Sequence, residues 1–320
     1  MPLRGRTAAT SETVHLTLLE HINLNVPCEA TARAFYVDGL GGVVNPRSSN
    51  SRQLHINVGA SQFHLPHRLS VRGMEPVEAA QVWAGHTELW TVEDLGELHS
   101  RLPGAELVGA GDALHIRCQC PWGNRLEVRR APEGFAPVGA HAGGWEKIVA
   151  MPRIVHLVRP GMAPCIAAFW VQIIGCDAAT APGRCTVAFA SVESVESAES
   201  GAGQQLVFEE SAAAPPRDAY DVLERHAYHL AFYLPTAAAF RAAFEAAAAA
   251  GLLYANARFE GGPPEFASAM TWPDAHACGQ FRVKELRGAA PSDEVGLVLE
   301  LEVRAPTHVS CPLGRSEAVP

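Results

Sequence analysis

The chain has 320 residues, a formal net charge of −9 and 48% hydrophobic residues, a composition that belongs to folded globular domains and leaves room for two of them. An acidic balance without clustered Lys and Arg excludes the electrostatic footprint of a nucleic-acid binder. No run of 18 or more apolar residues is present, so no helical membrane span is expected and a small-molecule partner remains the expectation.

Residues 1–13 read as a disordered lead-in, because Arg4 and Arg6 are not followed by the apolar core of a secretory signal. Val14 to Val26 alternates as a strand, with Leu16, Leu18, Glu20, Ile22 and Leu24 on one face and Leu19, His21 and Asn23 on the other. Pro27 ends it. Apolar positions from Cys28 to Leu40 recur at helical spacing until Gly39 and Gly41-Gly42 stop the helix. Short strands follow at Gly42 to Val44, Gln53 to Val58 and Gln62 to Leu65, which completes a βαβββ unit.

The pattern restarts at Gly85-His86-Thr87. Asp94 can cap a helix running to about Arg101, Pro103-Gly104 breaks it, and strands at Glu106 to Val108, Leu114 to Arg117 and Arg125 to Arg129 complete a second unit. His21 and His86 are 65 positions apart, and His64 and Glu127 are 63 apart, as a duplication requires. The Pro/Gly-rich stretch 134–151 reads as a linker between a first domain at 14–133 and a second at 152–308. A third unit has a strand from Ile154, a helix from Pro164 to Gly175, and strands at Cys185 to Ser191 and Gln205 to Glu210. A Ser/Glu/Ala-rich stretch at 192–202 reads as a solvated hairpin insert. The fourth unit has a strand at Tyr228 to Leu234, an Ala-rich helix from Thr236 to Ala250 with Phe240 and Phe244 on its buried side, and strands at Gln280 to Leu286 and Gly296 to Val303. Residues 309–320 read as a loose tail. The expected architecture is α+β: four βαβββ units forming two tandem half-barrel domains, one paired with two and three with four.

Eight cysteines without a CxxC pair read as buried small hydrophobes, which suits a cytoplasmic protein. Singly, a histidine is more often structural than a ligand, and His55, His67, His99, His115 and His141 receive that reading.

His21-Ile22-Asn23-Leu24-Asn25-Val26-Pro27, Ala34-Phe35-Tyr36 with Gly39-Leu40-Gly41, Gln62-Phe63-His64-Leu65, the His86 restart and Pro121-x-Gly123-Asn124-Arg125-x-Glu127 together resemble the vicinal oxygen chelate superfamily. That superfamily includes glyoxalase I, extradiol dioxygenases and bleomycin-resistance proteins. The resemblance covers residues 14–130 closely and 152–304 more loosely. It implies a divalent metal, Fe, Mn, Ni or Zn, held by residues on the first and last strands of paired units. Carried over by position, the ligands would be His21, His86 and Glu127, with His64 a fourth ligand or an acid/base and Glu127 shared with the chemistry. A weaker second site would use His156, Glu209, His229 and Glu300. His156 reaches a ligand position only if its strand shifts by one residue, and Glu302 lies on the same face as Glu300. The implied function is a metal-dependent enzyme acting on a small oxygen-chelating substrate, with lyase or isomerase chemistry ahead of extradiol ring cleavage. The alternative is a metal-free small-molecule binding protein of the same fold.

Overall fold

The computed structural model describes residues 14–67, 80–137, 139–189, 203–215, 228–256, 269–289 and 296–313. The lead-in at 1–13, the insert at 192–202 and residues 314–320 of the tail lie outside the described residues. Among the described residues three βαβββ units are complete and a fourth shows three of its strands, and together they build two mixed sheets. In chain order the first unit contributes β1 (Leu18–Asn23), β2 (Val43–Val44), β3 (Gln53–Val58) and β4 (Ser61–Pro66). The second contributes β5 (Gly85–Thr91), β6 (Glu106–Val108), β7 (His115–Gln119) and β8 (Arg125–Arg130), and the third β9 (Ile148–Val158), β10 (Ala178–Ala181), β11 (Arg184–Ala188) and β12 (Gln205–Glu210). The fourth supplies β13 (His229–Tyr233), β14 (Gln280–Leu286) and β15 (Leu297–Arg304).

The pairing of units differs from expectation. One sheet runs β14-β15-β13-β1-β4-β3-β2 and the other β10-β11-β12-β9-β5-β8-β7-β6, so unit one pairs with unit four and unit two with unit three. A repeat in the sequence identifies units but not partners, because every first strand offers the same backbone edge and the same alternation to any other. The choice is made by β1 against β13 and by β5 against β9, both antiparallel.

Core-facing side chains of both sheets and the helices belong to one contiguous hydrophobic cluster, including Leu19, Ile22, Leu89, Val128, Ile154 and Leu301. The helix Ala237–Ala249 shows how sequence makes this contact. Thr236 caps it by accepting from the Ala239 N–H, Ala fills its length, and Phe240 and Phe244 bury against the Phe281 ring at 5.3 and 5.5 Å. A second capped helix in this unit, Trp272–Cys278, was not anticipated from periodicity; Thr271 caps it and Gly279 ends it in a left-handed conformation. The sheets also touch directly. Gly59, at φ +71°, turns β3 into β4 where any Cβ would fall 2.0 Å from the Val149 carbonyl oxygen, so no other residue fits that approach.

The segment between β8 and β9 leaves its own sheet and crosses the polar face of the other. There the Asn57 amide donates to the Ala142 and Gly144 carbonyls at 3.0 and 2.8 Å, and the His141 ring lies 3.0 Å from the Ala60 carbonyl. Among the described residues, no helix is long and apolar enough to cross a membrane.

Candidate metal centre

The polar face of the β1/β13 sheet collects its functional groups through a bulge. Leu19 pairs with Phe232 and His21 with Ala231, so Glu20 is an extra residue on β1. A bulge turns neighbouring side chains to one side. Glu20 therefore does not alternate away from His21, as regular strand spacing implied, but accepts from its Nδ1 at 2.7 Å. With that proton fixed on Nδ1, the His21 Nε2 lone pair points inward. There it lies 3.1 Å from Nε2 of His229, and Oε2 of Glu302 is 3.7 Å from the same His229 nitrogen. All three residues are buried.

The strand register explains the convergence. On β1 and β4, Asn23 is opposite His64; on β13 and β15, Ala231 is opposite Glu302. In each unit the last-strand residue is opposite the position two beyond the first-strand histidine, so His21/His64 and His229/Glu302 are equivalent pairs. The four meet at the seam between units one and four. The His64 ring stacks on His21 with centroids 3.7 Å apart and on His55 at the same distance. Burial, then the neighbouring His21 and His55, hold His64 well below the ordinary imidazole range, and burial pushes His55 down to about 3. Both rings are neutral near pH 7.

Around these rings lies a network of buried charge. Arg282 bridges Glu300 and Glu302, while Arg304 bridges Glu302, Glu20 and the Tyr233 hydroxyl. Burial alone would raise the carboxyls, but Arg282 and Arg304 hold Glu302 well below the usual range, and Arg304 with His21 holds Glu20 at about 2. Glu300 is also bonded by the Asn256 amide at 2.8 Å. It serves the network, and the carboxylate at the nitrogen pair is Glu302.

The other predicted ligands do not join His21, because His86 and Glu127 sit on the second sheet. There the same register holds: Glu88, two beyond His86, is opposite Glu127. Across the seam, however, Arg153 stands where the first sheet has His229, and Val207 stands where it has Glu302. The Arg153 guanidinium bonds Glu88 at 2.9 Å and Gln205 at 3.0 Å, filling that seam with a fixed cation. Glu127 faces Arg129 at 3.2 Å and Arg117 at 3.5 Å. His156 faces the opposite way, into the core, against the Trp83 ring and 3.1 Å from the Tyr228 hydroxyl, and burial pushes it down to about 3. The one-residue slip that a ligand role required does not occur. Glu209 is exposed on β12.

No protein-family model matches this sequence, and no curated protein matches it. Solved structures do. A candidate dioxygenase from Bacillus subtilis is similar over 92% of this chain and 86% of its own, at 10% identity and a TM-score of 0.51. Glyoxalase I from Zea mays is similar over 90% and 92%, at 10% identity and a TM-score of 0.47. A candidate glyoxalase-family protein from Bacillus anthracis is similar over 36% of this chain and 94% of its own, at 22% identity and a TM-score of 0.26. The chain has the vicinal oxygen chelate fold.

On that fold the first sheet's donor set suits a divalent ion. Two imidazole nitrogens 3.1 Å apart are at the spacing of neighbouring ligands around one ion at about 2.0–2.2 Å, and the third donor is a carboxylate. Charge agrees. Glu20, Glu300 and Glu302 face Arg282 and Arg304, one negative charge in excess among these buried groups, which a cation would offset. In front of His64 opens a cavity of about 520 Å³, with Glu20, His55 and Arg304 at its base and His141 on its wall. Sequence reasoning missed Glu20 as an orienting group and passed over Glu302 for Glu300. The signal for Glu20 was present, since an acidic residue directly beside a ligand histidine is unexpected on a regular strand.

Proposed function

We propose that the protein is a divalent-metal-dependent enzyme whose ion is held by His21, His229 and Glu302 and whose substrate is a small molecule with neighbouring oxygens. The observation that carries this is the 3.1 Å approach of two imidazole nitrogens, one oriented by a buried carboxylate, beside a second buried carboxylate. A bound ion would supply Lewis acidity toward a substrate oxygen and stabilise an enolate-like anion. The residues of the chain prepare that chemistry. Glu20 keeps the His21 proton on Nδ1, and Arg282 and Arg304 lock the Glu302 carboxylate. His64, neutral and between the nitrogen pair and the cavity, either donates to the ion or accepts a proton from the substrate. Lyase or isomerase chemistry fits this set of proton-handling groups better than ring cleavage.

Metal analysis of protein purified without chelators tests the reading, with about one ion per chain expected. His229→Ala should abolish binding while circular dichroism still reports a folded chain. His64→Gln then separates the two roles of that residue: lost metal makes it a ligand, and retained metal makes it the proton acceptor. One observation favours the alternative of a metal-free binding protein. Arg282 and Arg304 already engage both oxygens of Glu302, so a wild-type protein that takes up no Zn, Mn, Ni or Fe would move the assignment to that reading.

A further inference from the structure

We propose that the cavity takes a non-aromatic, multiply hydroxylated small molecule bearing one acidic group. This deepens the enzyme reading and depends on it only for where the reacting end lies. The walls carry the argument. The stretch leading into β3 contributes Asn45, Ser48, Asn50 and Gln53, and β4 adds Gln62. Gln62 is spent within the wall on Asn57 and His64, but among the described residues Asn45 and Gln53 engage the chain with only one end of the amide, Oδ1 and Nε2 respectively, leaving a donor and an acceptor for alcohol groups of a ligand. Among the described residues the lining has no Phe, Tyr or Trp. A planar aromatic substrate ordinarily buries its faces against large apolar and aromatic walls, whereas the apolar part of this chamber is confined to small side chains such as Ala140, Ala142, Val309 and Pro312 and its rings are imidazoles.

Two side chains sharpen the class. The Ser48 hydroxyl oxygen is shielded from solvent yet has no hydrogen-bond partner among the described residues. Shielded polar groups without partners are rare and call for one, and a ligand hydroxyl in the chamber would supply it. Arg47 stands on the same wall, exposed, and its guanidinium has no ion-pair partner among the described residues. By contrast, Arg304 at the base is committed to Glu20, Glu302 and Tyr233. An uncommitted cation beside these amides selects one anionic end on a hydroxylated body. At about 520 Å³ the chamber has the size of an ordinary small-molecule site.

Calorimetric titration of the full chain, both metal-free and metal-loaded, tests this with four probes: gluconate, glucose 6-phosphate, sorbitol and catechol. The two acids should bind at least tenfold more tightly than sorbitol or catechol, and their order tells a carboxylate site from a phosphate site. Arg47→Ala should reduce the acids to the affinity of sorbitol, and Ser48→Ala should weaken all three polyols severalfold. Neither change should alter metal content. Tighter binding of catechol, an acid preference that survives Arg47→Ala, or no binding of any probe overturns the proposal. Acid preference in a protein that binds no metal would sustain it and sink the enzyme reading, whereas bound metal with catechol preferred would do the reverse.

Discussion

Glu300 and Glu302 sit two residues apart on the same face of one strand, and only the pairing of β15 with β13 tells which one reaches His229. Glu302→Gln removes the anionic donor and should lower metal affinity at least tenfold. It also leaves Arg282 and Arg304 short of a buried partner, which costs about 3–5 kcal/mol, so metal content is to be read on the folded fraction. Glu127→Gln is the contrast. Its carboxylate lies among Arg117 and Arg129 on the other sheet, and the change should leave metal content untouched and stability within about 1 kcal/mol. Equal metal loss in both variants would refute the assignment of the centre to the first sheet. His156 yields a pH prediction away from the centre. The unfolded ring protonates near 6.5 and the folded one only at about 3, so the folded state binds fewer protons between these values. Its contribution is complete above 6.5 and is lost as pH falls toward 3, with a slope of about 1.4 kcal/mol per pH unit. Denaturant unfolding between pH 7.5 and 5 should show a shallower decline in His156→Phe than in wild type; identical slopes would mean that the ring is solvated in the native state.

At the scale of elements, most of the strands could be read from alternation, and the helix at Ala237–Ala249 from its composition and cap. What alternation could not show was where it fails. A bulge at Glu20 depends on how β1 matches the far strand β13, a non-local contact with no local signature beyond a charged residue at an apolar position. The helix Trp272–Cys278 was hidden for a different reason, since two turns carry too few apolar repeats to display a period even with the Thr271 cap in place. His21, His64 and His229 were recognisable as candidate donors; their company was not, because sets of ligands follow strand pairing. The bulge makes its own prediction. If Glu20 orients His21, Glu20→Gln should weaken metal binding by about 10–100-fold, as removal of a carboxylate behind a ligating histidine does. A regular strand would have turned Glu20 away, and the substitution would then leave affinity unchanged.

For the whole molecule, the nesting of units two and three between one and four means that each sheet draws strands from both halves of the chain, β1–β4 with β13–β15 in one and β5–β8 with β9–β12 in the other. The stretch expected as a linker, 134–151, runs into β9 at Ile148, and cutting the chain between β8 and β9 leaves neither piece with a finished sheet. Fragments 1–147 and 148–320, which keep β9 whole, would each expose the long edges that β1 and β13, or β5 and β9, present to one another, and such edges pair with whatever is available. Neither should unfold cooperatively as a monomer, while coexpression should recover a folded pair. The metal adds a sharper test, because His21 comes from one fragment while His229, 208 residues away in the chain, and Glu302 come from the other. An ion that needs both pieces stabilises only their complex, so its addition should tighten fragment association in proportion to its own affinity. Chelator should reverse the effect, and Glu302→Gln in the second fragment should remove it. Association that is indifferent to metal would place the ion elsewhere, and a first fragment that folds alone would mean that β1 accepts a partner other than β13.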